Sequence, residues 1–139
     1  MSERETPDWV AEHVERYLVT DGDEGHTWRG VPTLLLTTTG RKSGERRLIP
    51  LIYGEDDGAY IVVGSKGGHA FHPSWYENLV AQEDVEVQVK ADRFSARAST
   101  AIGEERRRLW ALMTNIWKGY DEYQQSTARE IPVVVLIRT

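Results

Sequence analysis

Apolar positions along the chain follow two periods, one helical and one of alternating strand type. Over residues 6–19, "TPDWVAEHVERYLV", Trp9, Val10, His13, Val14, Tyr17 and Leu18 share one helical face, so the spacing predicts a first helix. Thr6 suits its cap, Pro7 its first turn and Asp8 its positive end. "TDGDEGHTWRG" reads as a loop, and "VPTLLLTTT" as a strand buried along Leu34–Leu36. "RRLIPLIYG" reads as a second strand, where Pro50 implies an edge or a bulge because proline has no N–H to give a ladder. "EDDG" turns the chain into a third strand, "AYIVVGS". "HPSWYENLVAQ" reads as a short helix with Pro73 near its first turn. "DVEVQVK" alternates cleanly, apolar at Val85, Val87 and Val89, and "DRFSARASTAI" is its hairpin partner. An amphipathic helix starts near Glu104, "KGYDEYQQS" is a loop or helical turn, and "IPVVVLIR" closes the chain as a strand.

That pattern gives about six strands and three helices. Connections of about two to five residues favour antiparallel pairing. The expected fold is mainly β (α+β), a small barrel of six antiparallel strands with covering helices. At 139 residues the chain is read as a single domain over 1–139, with the N-terminal helix, about 7–18, as a lid or as packing on the barrel. A chain of this size buries roughly two thirds of its unfolded surface.

Composition narrows the chemistry. No cysteine is present, which removes disulfides, thiol nucleophiles and zinc–thiolate sites. "MSERETPDWV" is charged and has no apolar core, so no leader is read there. No apolar run nears the roughly 20 residues of a membrane helix. A cytoplasmic protein is expected, with peripheral contact at the inner face of the cell membrane as an open alternative.

The formal net charge is −5, yet "TTTGRKSGERRLIP" gathers Arg41, Lys42, Arg46 and Arg47 around Gly40 and Gly44. The glycines let backbone approach a ligand and offer N–H groups, and arginine forks suit phosphate or carboxylate. Net acidity would repel a nucleic acid duplex, so a small anionic ligand is the better fit. A second glycine site, "VGSKGGHAFHPSWYENL", places Ser65, Lys66, Gly67 and Gly68 between a strand and a helix start, again an anion or carbonyl site. His69 and His72 stand three apart there, but no third ligand accompanies them, and no metal is expected. In "NIWKGYDEYQQS", Trp117, Tyr120 and Tyr123 recur every three residues in polar surroundings, as pocket walls do.

In combination and order, "LLLTTTGRKSGERRLIPLIYG", "VGSKGGHAFHPSWYENL" and "YDEYQQSTAREIPVVVL" resemble the deazaflavin-dependent nitroreductase family of actinobacteria, within the flavin/deazaflavin oxidoreductase superfamily. The resemblance runs from about Trp9 to the C-terminus. It implies a split β-barrel and coenzyme F-420, a deazaflavin with a phospholactyl-oligoglutamate tail. By that resemblance Arg41, Lys42 and Ser43 hold the tail or phosphate, and Arg47 reaches the same group. Leu48, Ile49, Pro50, Leu51 and Ile52 line the deazaflavin. Val63, Gly64, Ser65 and Lys66 meet the ring edge or the ribityl chain. Ser74, Trp75, Tyr76, Glu77 and Asn78 close the phosphate side, and Tyr120 lies near ring and substrate. Ile52 and Trp117 stand where some members carry an aromatic residue and a tyrosine, so the substrate range differs among members.

The implied activity is hydride transfer from the reduced deazaflavin to a small acceptor: a quinone, an enone or a nitroaromatic. Tyr120 and Ser65 are the expected catalytic donors, and Trp117, Tyr123 and Trp9 the expected substrate contacts. The rival readings are an FMN-dependent reductase of the same fold, a non-catalytic deazaflavin carrier, and a small nucleic-acid-binding barrel. The expected assembly is a monomer or weak homodimer, without nucleic acid.

Overall fold

The computed structural model describes residues 8–139. Thr6 and Pro7, expected to open the first helix, lie outside the described residues. Helix α1 spans Asp8–Val19, and a two-residue strand β1, Thr27–Trp28, precedes β2, Val31–Thr39. Strands β3, Arg46–Ile52, β4, Gly54–Asp56, and β5, Ala59–Val63, follow. A 3-10 turn at Lys66–Gly68 leads to α2, Ser74–Ala81. The hairpin β6, Asp84–Val89, and β7, Asp92–Thr100, is followed by α3, Gly103–Ile116, α4, Gly119–Gln125, and β8, Val133–Arg138.

The α+β class and antiparallel pairing are as expected, but the described residues form eight strands rather than six and four α-helices rather than three. The difference has a local cause. The long second strand of the sequence reading breaks at Tyr53, which releases β4 as a separate strand, and Glu55 and Asp56 extend it instead of turning. Thr27 and Trp28 pair with Pro32 and Val31, a ladder too short to show alternation. The "KGYDEYQQ" stretch coils into α4.

All ladders are antiparallel, in the order β1-β2-β6-β7-β8-β5-β4, with β3 on β2. β3 and β4 thus lie at opposite ends of the sheet, yet only Tyr53 separates them in the chain. The sheet must therefore curl until its ends meet. Among the described residues β3 is laddered to β2 alone, so its second edge runs unladdered along the seam. Pro50 sits there opposite Leu35, the edge location that its missing N–H requires.

The apolar core divides around β5 and β8. Val62, Val134 and Leu136 face one cluster with Leu34, Leu36, Val85, Val87 and Trp75. Ile61, Val63, Val133 and Val135 face a second cluster, roofed by Leu109 and Met113 of α3 and Tyr120 of α4. That two-sided burial explains why "VVVL" is a continuous apolar run instead of an alternating one.

Helix α1 packs against β3 through Val10 and the fully buried Tyr17, while Trp9 stays exposed. The Tyr17 hydroxyl accepts the Lys90 N–H at 2.8 Å and donates toward the carbonyls of Thr33, at 3.0 Å, and Gln88, at 3.3 Å. Tyr17→Phe leaves three backbone groups short of a partner. It is expected to cost about 1–3 kcal/mol of stability, read as a lower midpoint of denaturant unfolding.

Candidate functional site

The cationic turn and the start of α2 are far apart in sequence and meet in space. The Arg41 guanidinium donates to Asn78 Oδ1 at 2.8 Å, to Ser74 Oγ at 3.3 Å and to the Ser74 carbonyl at 3.5 Å. It pairs with Glu77 at 2.8 Å, and the Arg41 N–H also reaches Asn78 Oδ1. Buried Asn78 returns a hydrogen bond to Thr38 Oγ1 at 3.3 Å, which fastens α2 to the end of β2. The helix begins at Pro73 with no side-chain cap, so the Ser74 and Trp75 N–H groups have no partner among the described residues. An uncapped helix start beside a guanidinium favours an anion.

The turn itself works differently from the expectation. The Gly40 N–H donates to the Glu45 carbonyl at 2.7 Å and the Gly44 N–H to the Gly40 carbonyl at 2.8 Å. Both glycine amides are consumed in closing the turn, which leaves the Lys42 and Ser43 N–H groups without a partner among the described residues. The four cations also part company. Arg46 turns to Glu86 at 2.8 Å, on the face away from α2, whereas Arg47 lies over Gly40 and near Glu45. Lys42 and Ser43 stay exposed at the tip.

Along β3 the side chains alternate. Ile49 and Leu51 pack on the first core cluster, Leu48 and Pro50 belong to neither cluster, and Ile52 packs on the second. All five are half-buried. At the Ile52 end the aromatic residues gather. Trp117 Nε1 donates to the Tyr123 hydroxyl at 3.4 Å, Tyr123 packs edge-on to Tyr120 at 6.2 Å, and Trp28 lies 5.4 Å from Trp117. Arg29 covers the outer face of Trp28. Trp28 was not a sequence candidate, because the stretch around it lacks a period. Tyr120 is 4% exposed, and burial pushes its phenol far above the ordinary range, so it stays protonated.

Other candidates fall elsewhere. Trp75 is a core residue, Tyr76 hydrogen-bonds Thr100 on β7, and Trp9 is 58% exposed on α1. Two surface hollows, of about 320 and 400 Å³, lie at Thr37–Thr39 with Arg46 and Glu86, and along the outer face of α1. The first contains Arg46 alone of the four cations, and neither contains Arg41 or the aromatic residues. Among the described residues no three metal-ligating side chains cluster, and no helix is long and apolar enough to cross a membrane.

Between the two ends lies the glycine turn after β5. Arg129, which the sequence reading quoted within "YDEYQQSTAREIPVVVL" without giving it a role, holds it. Its guanidinium donates to the carbonyls of Gly64, Ser65 and His69 and to His72 Nδ1. Because arginine only donates, Nδ1 accepts and the His72 proton sits on Nε2. Burial and then the Arg129 charge push the His72 pKa below its ordinary value, against a smaller opposing pull from Glu77. The folded state therefore disfavours protonated His72. The associated stability is present above the unfolded histidine range and is lost as pH falls through the lowered value. His72→Gln is expected to flatten the decline in stability between about pH 7 and pH 5, checked by urea denaturation across that range.

The curled antiparallel sheet, with β3 along its seam between arginines at one end and aromatic residues at the other, defines a small α+β protein of the curled-sheet class. The model of the F420H(2)-dependent quinone reductase family matches residues 9–138, and the chain belongs to that family. It is 42% identical over 130 residues to an F420H(2)-dependent quinone reductase of Mycobacterium tuberculosis, spanning 91% of this chain and 87% of that protein. A solved structure of an F420-H2 dependent reductase is 43% identical, covers 76% of this chain and 93% of that one, and superposes with a TM-score of 0.71. Another, described as a domain-swapped dimer, is 42% identical, covers 93% and 97%, and superposes with a TM-score of 0.73.

Proposed function

We propose that this protein is a reductase that transfers a hydride from reduced coenzyme F-420 to a quinone. The carrying observation is β3, unladdered on its second edge, whose seven residues join the cationic end to the aromatic end. At about 3.3 Å per residue the strand is roughly 20 Å long, which suits a cofactor extended from ring to anionic tail. The fit rests on the Arg41 fan beside the uncapped start of α2 and on the half-buried apolar row from Leu48 to Ile52. When bound, reduced F-420 supplies two electrons as a hydride.

The chain's own residues do the rest. Arg41, with Lys42, Ser43 and Arg47 around the turn, holds the phosphate and tail, and Ser74 and Asn78 complete that end. Glu77 pairs with the Arg41 guanidinium until an incoming anion takes its place. Leu48 to Ile52 and Val63 to Lys66 bound the ring. Trp117, Tyr123, Tyr120 and Trp28 wall the acceptor's place and exclude water from it. The Tyr123 hydroxyl accepts from Trp117, which leaves its proton to hydrogen-bond an acceptor oxygen, and the neutral Tyr120 phenol and the Ser65 hydroxyl are further donors. We read the curled sheet with its β3 seam as a split barrel, and the chain as one domain. Enones and nitroaromatics share the quinone's need for a donor at oxygen and remain acceptors to test. A homodimer is the assembly to look for, since one relative is described as a domain-swapped dimer.

The test is a fluorescence titration with F-420 and, separately, with FMN, followed by oxidation of reduced F-420 by a soluble quinone such as menadione. Binding of F-420 in preference to FMN, with quinone-dependent return of the oxidised chromophore, is the expected result. A preference for FMN overturns the cofactor assignment, and binding without turnover makes the protein a carrier.

A further inference from the structure

The Ser65–Gly68 turn presents its two sides very differently. On one side three successive carbonyls are taken. Gly64 O and Ser65 O accept from Arg129 at 3.1 and 2.7 Å, and Lys66 O accepts from the His69 N–H at 3.1 Å. A trans amide points its N–H opposite its C=O. The Ser65 and Lys66 N–H groups therefore point away from Arg129, and the Gly67 N–H points away from the His69 amide. None of them has a partner among the described residues.

The backbone gathers these three N–H groups together. Ser65 is right-handed, with φ −74° and ψ −39°, while Lys66 and Gly67 are left-handed, with φ of +47° and +61°. A right-to-left succession folds consecutive N–H groups into one concavity that receives a carbonyl or anionic oxygen. Lys66 adopts this conformation without being glycine, at a cost of about 1–2 kcal/mol. A contact must hold it there, and the Arg129 grip on the preceding carbonyls is that contact. The turn follows Val63, in the same cluster as Tyr120, Trp117 and Tyr123, and Gly68 is wedged against Tyr123. The concavity thus lies beside those aromatic residues.

We propose that Arg129 is a positioning residue. By gripping the carbonyl side of the turn, it sets the Ser65, Lys66 and Gly67 amides as a three-donor cradle for an oxygen of the bound deazaflavin. This assignment rests on the F-420 reading above. It moves the expected contribution of Ser65 and Lys66 from their side chains to their backbone, and it gives a role to a residue that touches no ligand itself.

Two readouts test it on the full-length protein with oxidised F-420. In amide NMR spectra of the wild type, the Ser65, Lys66 and Gly67 resonances are expected to shift on titration and their hydrogen exchange to slow. In Arg129→Ala, the F-420 Kd is expected to rise at least tenfold and to recover partly with millimolar guanidinium but not with equal sodium chloride. A purely structural role would lower Tm and leave the Kd of the folded fraction unchanged. Wild type that binds F-420 without moving those three amides overturns the proposal, as does a folded Arg129→Ala with wild-type affinity. If Arg129→Ala does not fold, the wild-type spectra decide alone, with Arg129→Lys, which cannot span all the carbonyls, expected to bind more weakly. Wild type that fails to bind F-420 at all removes the cofactor reading instead, a distinguishable result.

Discussion

Arg41→Ala is expected to weaken F-420 binding by about ten- to a hundredfold, the loss that accompanies removal of a charge-assisted hydrogen-bond donor at roughly 1.5–3 kcal/mol. Arg41 is singled out from the four cations because its guanidinium alone is fanned over the first turn of α2, on Ser74, Glu77 and Asn78. Arg46 is held on the far face by Glu86, so Arg46→Ala is expected to leave affinity within about twofold. The sign reverses at Glu77. Its carboxylate competes with an incoming phosphate for the same guanidinium, so Glu77→Gln is expected to keep or raise affinity. The wild-type affinity is also expected to fall with salt, because the cationic end is open to screening. Fluorescence titration of the variants at two ionic strengths measures all of this. Equal affinity in Arg41→Ala and wild type would remove the turn from the cofactor site.

Gly68→Ala is expected to be the most damaging single methyl group in the site. A Cβ there would lie 2.2 Å from Ser126 Oγ and 2.9 Å from the Tyr123 carbonyl, at a φ of +80°. The serine hydroxyl can swing aside, but the Tyr123 backbone can move only with α4. Left-handed strain and overpacking together come to roughly 2–5 kcal/mol, a fall in Tm on the order of 10 °C for a chain this size. Gly67→Ala is the comparison. At φ +61° its Cβ meets nothing within 4 Å, so only the strain of about 1 kcal/mol applies. Because Tyr123 rides on α4, Gly68→Ala is also expected to lower quinone turnover in the fraction that stays folded. Calorimetry and turnover of the two variants side by side give the answer. Equal Tm values would show that the contact between the turn and α4 is soft.

Both arguments use residues that the sequence displayed and contacts that it did not. The helix start near Pro73 and the recurring aromatics are local patterns that survive in the structure as groups, whereas the glycine-bracketed cations divide between two faces. Pro50 is the clearest case, since a residue without an N–H had to sit at an edge. What stayed hidden is nonlocal. Arg41 and Asn78 are 37 residues apart, and no spacing rule joins them. Arg129 lies in a quoted motif that says nothing of its partner, and it closes a contact 65 residues back to Gly64. β1 is too short to show a period, and Trp28 within it finds its partner Trp117 only through the curl of the sheet. The six-strand estimate failed at Tyr53, where one residue changes the strand's partner from β2 to β5 without interrupting the apolar pattern.

An unpaired strand edge is also an invitation to aggregation, because any extended chain can add to its row of free N–H and C=O groups. β3 carries its own deterrents. Pro50 removes a donor from the middle of that row, and Arg46 and Arg47 put two exposed positive charges at its start. A second copy of the same strand, laid alongside, would meet its own charges and a missing hydrogen bond. Pro50 and Arg47, which help close this edge to a neighbouring polypeptide, are thus residues that the proposed cofactor site also uses.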